Sequence, residues 1–201
     1  MINFIQICMG CGGKCCFNAN PPLSSRRIKI LLENGVSVDK IDFNKYPHPK
    51  TRGDGYCIFF ENGKCTIHHI KPETCVAGPF TFDLRNNILE IYLKKDEICP
   101  LAKYLRENLE VYEKQFKLAV ENITRLIEDL DSEVLAEILK IDEPETFKVA
   151  EIPLNPKGRF QLNFNQYLIM LLTVITNMTM SLNLHCLHRF SSLIHTCSIL
   201  L

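Results

Sequence analysis

The sequence lacks an excess of charge of either sign. Lysine and arginine together number 23, and aspartate and glutamate also number 23. Without a net basic field the chain has no general attraction for phosphate backbones, so we expect no nucleic-acid partner. The absence of an acidic excess also argues against a disordered acidic tail.

Several common catalytic and nucleotide-binding motifs are missing as well. The chain has no G-x-x-x-x-G-K-[ST], no G-x-G-x-x-G after a strand, no H-E-x-x-H and no G-x-S-x-G. Whether the protein is an enzyme therefore stays open. The first ten residues have no basic region and no sustained apolar run, so we expect no signal peptide and a cytoplasmic location.

Cysteine, in contrast, is plentiful, with 10 among 201 residues. This fraction is below that of small secreted proteins built on disulfides. In a reducing cytosol, grouped cysteines bind metals or perform redox chemistry. We therefore interpret them as metal ligands rather than as disulfide partners.

Eight of the cysteines are candidate ligands. Four lie within the stretch CMGCGGKCC, whose glycines allow tight turns that can bring several sulfurs together; they are Cys8, Cys11, Cys15 and Cys16. Four more lie beside predicted turns or strands, at Cys57, Cys65, Cys75 and Cys99. The alternative for Cys57, Cys65 and Cys75 is that they are ordinary buried core residues.

The spacing of these cysteines does not distinguish between metals. Cys8 and Cys11 have the C-x2-C spacing of tetrahedral zinc sites. Cys8, Cys11 and Cys15, with Cys99 before Pro100, loosely resemble the pattern of a [4Fe–4S] cluster. We favour an iron–sulfur cluster, with zinc as the alternative.

The adjacent residues Cys15 and Cys16 limit how one ion can be bound. Neighbouring side chains usually point to different sides, so both are not expected to bind one small ion without strain. Either one of them is not a ligand, or the two serve different centres. We favour one principal centre with additional thiols nearby.

The hydrophobic pattern predicts an α+β fold, with a small cysteine-rich region and two β-hairpins packed against a long helix and shorter helices. Residues 1–20 are predicted to be a short apolar lead, with Ile2, Phe4, Ile5 and Ile7, followed by a cysteine loop. Ser24 or Ser25 can cap a helix that ends near Gly35; its buried face should comprise Ile28, Leu31 and Leu32.

The two hairpins differ in length. The first runs over residues 57–68, with a cysteine opening each strand and Asn62-Gly63 in the turn. The second runs over residues 79–95. From Leu101 to Leu130 apolar residues recur at steps of three and four, which predicts a long helix with one apolar seam. This seam should dock on the metal-binding half or form a helix-mediated dimer.

Two parts of the chain are distinguished by composition. Residues 1–158 are predicted to form a cysteine-cluster metal-binding domain with a helical C-terminal half over residues 100–140. Residues 159–201 are an apolar tail, with no charged residue between Arg159 and Arg189. Because threonines and asparagines interrupt the apolar run, we favour a packed or interfacial helix over a membrane span. A readthrough or frame-shifted end is a third interpretation.

The cysteine motifs together resemble a known family. CMGCGGKCC, GYCIFFENGKCTIHHIKPETCVAGPF and EICP look like the motifs of the YkgJ-like cysteine-cluster family of zinc- or iron-chelating domains, in an archaeal form. Carried over by position, the resemblance implies that all eight cysteines belong to the metal site. An extra glycine, His68 in place of tyrosine and Lys71 in place of arginine depart from the pattern, and none removes a cysteine.

The resemblance implies a metal-binding protein, most simply an iron–sulfur protein with a redox role and a redox or protein partner. The first alternative is a zinc module with a structural site, whose long helix contacts a partner. Some relatives with this module are flagellin lysine methylases, so a cluster-containing enzyme related to methyltransferases is a further hypothesis.

Overall fold

The structure is a computed structural model that describes residues 4–141 and 145–153. Within this part, six α-helices are combined with short antiparallel strands. This combination confirms the α+β class. The predictions for residues 159–201, and the domain boundary at residue 158, lie outside the described residues.

The described helices are α1 (Phe4–Gly10), α2 (Ser25–Glu33), α3 (Glu73–Ala77), α4 (Pro100–Glu107), α5 (Leu109–Asp129) and α6 (Ser132–Ile138). The strands are β1 (Ile41–Asp42), β2 (His48–Pro49), β3 (Phe60–Glu61), β4 (Lys64–Cys65), β5 (Phe80–Arg85), β6 (Ile88–Lys94) and β7 (Thr146–Pro153). β1 pairs with β2, β3 with β4, and β5, β6 and β7 form a sheet in that order. Among the helices of the described ranges, none has the length and apolar character needed to cross a membrane.

The segment before the cysteine turn is helix α1, so the prediction of a loop over residues 8–10 is wrong. Packing explains the difference, because a helix this short is not stable by itself. α1 lies against α4, and the ring of Phe4 meets that of Tyr104 edge-on, with 6.4 Å between centroids. After α1, Gly12 and Gly13 have positive φ angles and lead into a 3-10 turn at Lys14–Cys16.

Helix α2 begins and ends as predicted. The Ser24 hydroxyl accepts a hydrogen bond from the backbone N–H of Arg27 at 3.2 Å, and Gly35 follows the helix with a φ of 82°. Leu31 is buried, whereas Leu32 is 43% exposed, contrary to the prediction. The buried face instead includes Arg27, which lies one turn before Leu31 on the same side of the helix.

The first hairpin is shorter than predicted. Asn62 and Gly63 have the positive φ angles of its turn, but each strand has only two residues. The expectation that a cysteine opens each strand is also wrong. Cys57 precedes β3 and forms an isolated bridge with Thr51, while Cys65 ends β4.

The second hairpin is confirmed, and it belongs to a larger sheet than predicted. β5 pairs with β6 in a register that places Phe80 opposite Leu93. β7 adds to the other edge of β6 and was not identified in the sequence analysis. Because β6 is central, its apolar side chains Leu89, Ile91 and Leu93 are fully buried.

The predicted long helix is interrupted at Asn108, which separates α4 from α5. The Asn108 side-chain amide donates to the carbonyl of Tyr104 at 2.8 Å, and this local bond competes with continuation of the helix. The apolar seam is nevertheless correct, because six of its members are fully buried within this chain: Leu105, Tyr112, Phe116, Ala119, Ile123 and Leu126.

Helix α5 holds α3, the helix that carries Cys75, and the adjoining strand β5. Its Gln115 amide donates to the carbonyls of Val76 and Gly78, at 2.9 and 2.8 Å, and so fixes the end of α3. The ring of Phe80 in β5 lies edge-on to Tyr112, with 5.4 Å between centroids. α3, with Cys75, is thereby attached to a rigid core.

Candidate metal centre

All eight candidate cysteines are free thiols. Most of them influence the ionisation of at least one other, as the pKa shifts below show. Cys15 and Cys75 are exposed, and the other six are half-buried. Residues that are up to about 90 positions apart in the sequence therefore meet in one region.

Four of the thiols line a small pocket with a volume of about 80 Å³: Cys8, Cys11, Cys15 and Cys99. Each comes from a defined element. α1 carries Cys8, the glycine-rich turn carries Cys11 and Cys15, and Cys99 is the N-cap residue of α4. The contact between α1 and α4 thus brings together cysteines from the two ends of the motif region.

The remaining lining residues of the pocket are basic or apolar. Lys14 and Lys94 contribute positive charge, and the apolar lining is supplied by Ile7, Ile98 and Leu101. Because Lys14 lies inside the cysteine motif, its place near the site could have been predicted from the sequence. Lys94 ends β6, and only the tertiary structure places it beside Cys15.

The other four thiols do not line this pocket: Cys16, Cys57, Cys65 and Cys75. The backbone N–H of Cys57 donates to the carbonyl of Cys16 at 2.9 Å. The pKa of Cys16 is raised first by its hydrogen bond with Cys15 and by burial, and then by the charges of Cys15, Cys75 and Cys65. After burial, the charge of Cys15 contributes to the raised pKa of both Cys8 and Cys75.

The thiols differ in acidity. A hydrogen bond with the Cys16 thiol, assisted by the charges of Lys94 and Lys71, lowers the pKa of Cys15 to about 6, against the effect of burial. The same hydrogen bond raises the pKa of Cys16. Burial and the charges of neighbouring thiolates raise the pKa of Cys8 to about 11.

The pKa of Cys75 is raised to about 12, first by burial and then by the nearby thiolates. The Cys75 residue has exposed surface, but surrounding atoms still desolvate the thiol, and the thiolates of Cys15, Cys57 and Cys65 act in the same direction as burial.

These shifts predict selective alkylation of the metal-free, reduced protein. At pH 7.5 Cys15 is mostly thiolate and Cys8 mostly thiol, so iodoacetamide should label Cys15 at least about tenfold faster. The Cys15 rate should rise through about pH 6 and then level off, while the Cys8 rate should still rise above pH 9. Peptide mass spectrometry of quenched samples measures both, and equal rates in the folded chain would contradict the prediction.

The donor set suits a soft metal, although the side chains are not yet arranged around one ion. Among residues 4–141 and 145–153, no three His, Cys, Asp or Glu side chains are positioned to hold a metal ion together. The chemistry still fits, since zinc and iron–sulfur clusters prefer thiolates. Burial and then the charges of neighbouring thiolates raise the pKa of Cys8, Cys75 and Cys99, and a bound cation would relieve the repulsion between these thiolates.

Aromatic packing joins the cysteine turn to the first hairpin. The ring of Phe60 stacks on Tyr56 with 4.8 Å between centroids, and Tyr56 meets Phe17 edge-on at 5.3 Å. Phe60 also lies directly over Gly13, so closely that a side chain there would overlap the ring. The cysteine turn and the hairpin that carries Cys65 are therefore held together as one packed unit.

Comparison with known proteins supports the interpretation of this region as metal-binding. A family model named CxxCxxCC, with the description "Putative zinc- or iron-chelating domain", matches residues 7–114, slightly more than half of the chain. The matched range contains all eight candidate cysteines. No curated protein and no solved structure matches the chain.

Proposed function

Because the chain belongs to the CxxCxxCC family of zinc- or iron-chelating domains, we propose that its principal metal centre is an iron–sulfur cluster of the [4Fe–4S] type. The observation that carries this proposal is the pocket, whose lining includes four thiols. A [4Fe–4S] cluster takes four thiolates, commonly a closely spaced group and one distant cysteine before a proline. Cys8, Cys11, Cys15 and Cys99 have this arrangement.

The rest of the pocket supports the same proposal. A cluster with four thiolate ligands carries net negative charge, and Lys14 and Lys94 in the pocket lining reduce the free energy needed to hold that charge. Ile7, Ile98 and Leu101 keep water away from part of the site. Exposure and charge near the sulfurs set the reduction potential of such a cluster.

The role that we propose is electron transfer or redox sensing in the cytoplasm. When bound, the cluster supplies a one-electron donor or acceptor. Two residues of the pocket lining, Cys15 and Ile98, are exposed, and Ile98 is 41% exposed. A partner protein can therefore approach the pocket closely. Because lysines flank this side, the expected partner presents an acidic surface.

The test is anaerobic purification of the full chain, followed by an absorbance spectrum and metal analysis of the same sample. We expect a brown protein with a broad band near ~400 nm and about four iron atoms per chain in that centre. Cys99→Ser and Cys11→Ser should lose nearly all of the visible band and the iron. A colourless wild-type protein that contains only zinc would overturn the proposal in favour of the zinc module.

The chain offers a matched control for these variants. Cys186 lies outside the family match and outside the candidate set. Cys186→Ser changes the same atoms at another cysteine, so it should keep the wild-type spectrum and iron content. Loss of iron in this variant would show that serine substitutions lower the yield of metal without regard to position.

A further inference from the structure

We propose that Arg106 is a positioning residue for Cys99, and that it acts by tying strand β7 to the turn over residues 95–99. The inference rests on the proposed function, which makes Cys99 a ligand in the pocket. β7 lies beyond the range matched by the family model, which ends at residue 114. The metal centre of this chain therefore depends on a strand that is not part of the matched domain.

Two backbone hydrogen bonds connect the start of β7 with Cys99. The N–H of Lys95 donates to the carbonyl of Glu145, the residue before β7, at 2.9 Å. The carbonyl of Lys95 accepts a hydrogen bond from the N–H of Cys99 at 3.0 Å. Lys95 is thus bonded to β7 on one side and to the cysteine on the other. A displacement of β7 would therefore move the turn that carries Cys99.

Arg106 connects the same turn to β7 through its side chain. It lies in the last turn of α4, and its Nη2 donates to Oδ2 of Asp96, which belongs to the turn. The guanidinium carbon lies 5.9 Å from the centre of the Phe147 ring, within the range of a cation–π contact. Phe147 is part of β7 and pairs with Leu93 of β6. One side chain therefore joins the turn, α4 and β7.

Water cannot easily replace the contact between Arg106 and Asp96. Arg106 Nε and Asp96 Oδ1 are buried atoms without a hydrogen-bond partner among the described residues. Loss of the guanidinium would leave a partly buried carboxylate without its counter-charge, so the turn would open to hydrate it. The ion pair of Lys95 and Glu145 is different, because its side chains are 47% and 54% exposed and it contributes little.

The position of this turn matters because it supplies part of the pocket. Lys94, Ile98 and Cys99 all line the pocket and lie in or next to the turn. Among the four pocket thiols, Cys99 alone lies outside the N-terminal cysteine motif, so its place depends on tertiary contacts. Contacts that hold a metal ligand in place typically change metal affinity by about 10–100-fold when they are removed.

The first experiment measures hydrogen exchange by NMR in the reduced, metal-free full chain. Arg106→Ala should accelerate exchange of the N–H groups of Lys95 and Cys99 by at least about tenfold, while exchange in helix α2 stays at the wild-type rate. Arg106→Lys keeps a positive charge near Asp96 and should restore part of the protection. Glu145→Gln removes only the exposed ion pair and should exchange as the wild type does. Unchanged exchange over residues 95–99 in folded Arg106→Ala overturns the proposal.

A milder variant keeps this test decisive if Arg106→Ala does not fold. Phe147→Leu removes the cation–π contact and leaves the ion pair with Asp96 in place. We expect it to accelerate exchange over residues 95–99 in the same direction and by a smaller factor. Wild-type exchange there in both Phe147→Leu and Arg106→Lys would contradict the role of Arg106.

The second experiment measures metal loss from the loaded full chain, purified without oxygen and mixed with an iron chelator. The visible band should disappear about 10–100-fold faster in Arg106→Ala than in the wild type, and at the wild-type rate in Glu145→Gln. Leu31→Ala is the control for general destabilisation, because its apolar cluster includes none of the residues that line the pocket.

Equal rates of metal loss in Leu31→Ala and Arg106→Ala would overturn the proposal, since the arginine would then act only through overall stability. If the wild type contains zinc and no iron, the proposed cluster is wrong. In that case the rate of zinc release to a chelator tests Arg106 in the same way, and faster release in Arg106→Ala than in Leu31→Ala would support its positioning role.

Discussion

Gly13→Ala is expected to destabilise the metal-free protein by about 2–5 kcal/mol and to reduce the metal content sharply. Gly13 has a φ of 64°, a conformation that disfavours residues with a Cβ atom. A Cβ atom there would lie 2.3 Å from both Cε2 and Cζ of Phe60. This separation is far below van der Waals contact, so the ring or the turn must move.

Phe60 cannot move easily, because it is held on three sides. It is only 9% exposed, stacks on Tyr56 and pairs with Cys65 in the hairpin. Displacement of the ring would shift the backbone next to two cysteines. If the turn moves instead, Cys11 and Cys15 leave the pocket. Either movement should lower the affinity for metal, and denaturant unfolding together with metal analysis measures both effects.

Gly12→Ala is the matched control for this prediction. Gly12 has a similar φ of 70°, but a Cβ atom there would meet no other atom within 4 Å. We expect this variant to lose only the backbone contribution, about 1–2 kcal/mol, and to keep its metal. Equal losses of stability in the two variants would show that contact with Phe60 contributes nothing.

Glu73→Ala is expected to lower the free energy of unfolding by about 3–5 kcal/mol, because it leaves a buried guanidinium without its counter-charge. Glu73 is fully buried and Arg27 is 8% exposed. Oε1 accepts both hydrogen bonds from Arg27, while Oε2 has no hydrogen-bond partner among the described residues. Substitution should also loosen α3, the helix that carries Cys75.

Two further variants separate burial from charge in this prediction. Lys29→Ala removes an ion pair with Glu33 on the surface of α2, where the Lys29 side chain is 76% exposed, and should change stability by only about 0–1 kcal/mol. The double variant Arg27→Met/Glu73→Leu removes both buried charges and should recover most of the lost stability. Urea unfolding measures all four proteins. A double variant no more stable than Glu73→Ala would contradict this explanation.

The sequence alone determined the features that depend on neighbouring residues. Ser24 caps α2 because its hydroxyl reaches an N–H three residues later, and Asn62-Gly63 turns the first hairpin because both residues tolerate positive φ angles. The alternation over β5 and β6 and the seam over α4 and α5 also follow from local periodicity. The eight cysteines were identified from residue type and spacing, before any contact was known.

Only the tertiary structure decided which distant residues meet. β7 pairs with β6 across more than 50 residues, and α1 is helical because α4 covers it. Lys94 lines the same pocket as Cys8 and Cys15, which lie far from it in the sequence. Packing likewise decides that Cys15 lines the pocket and that the adjacent Cys16 does not. These features arise from burial and pairing between segments, whose free energy depends on the whole packed chain and not on local backbone preference.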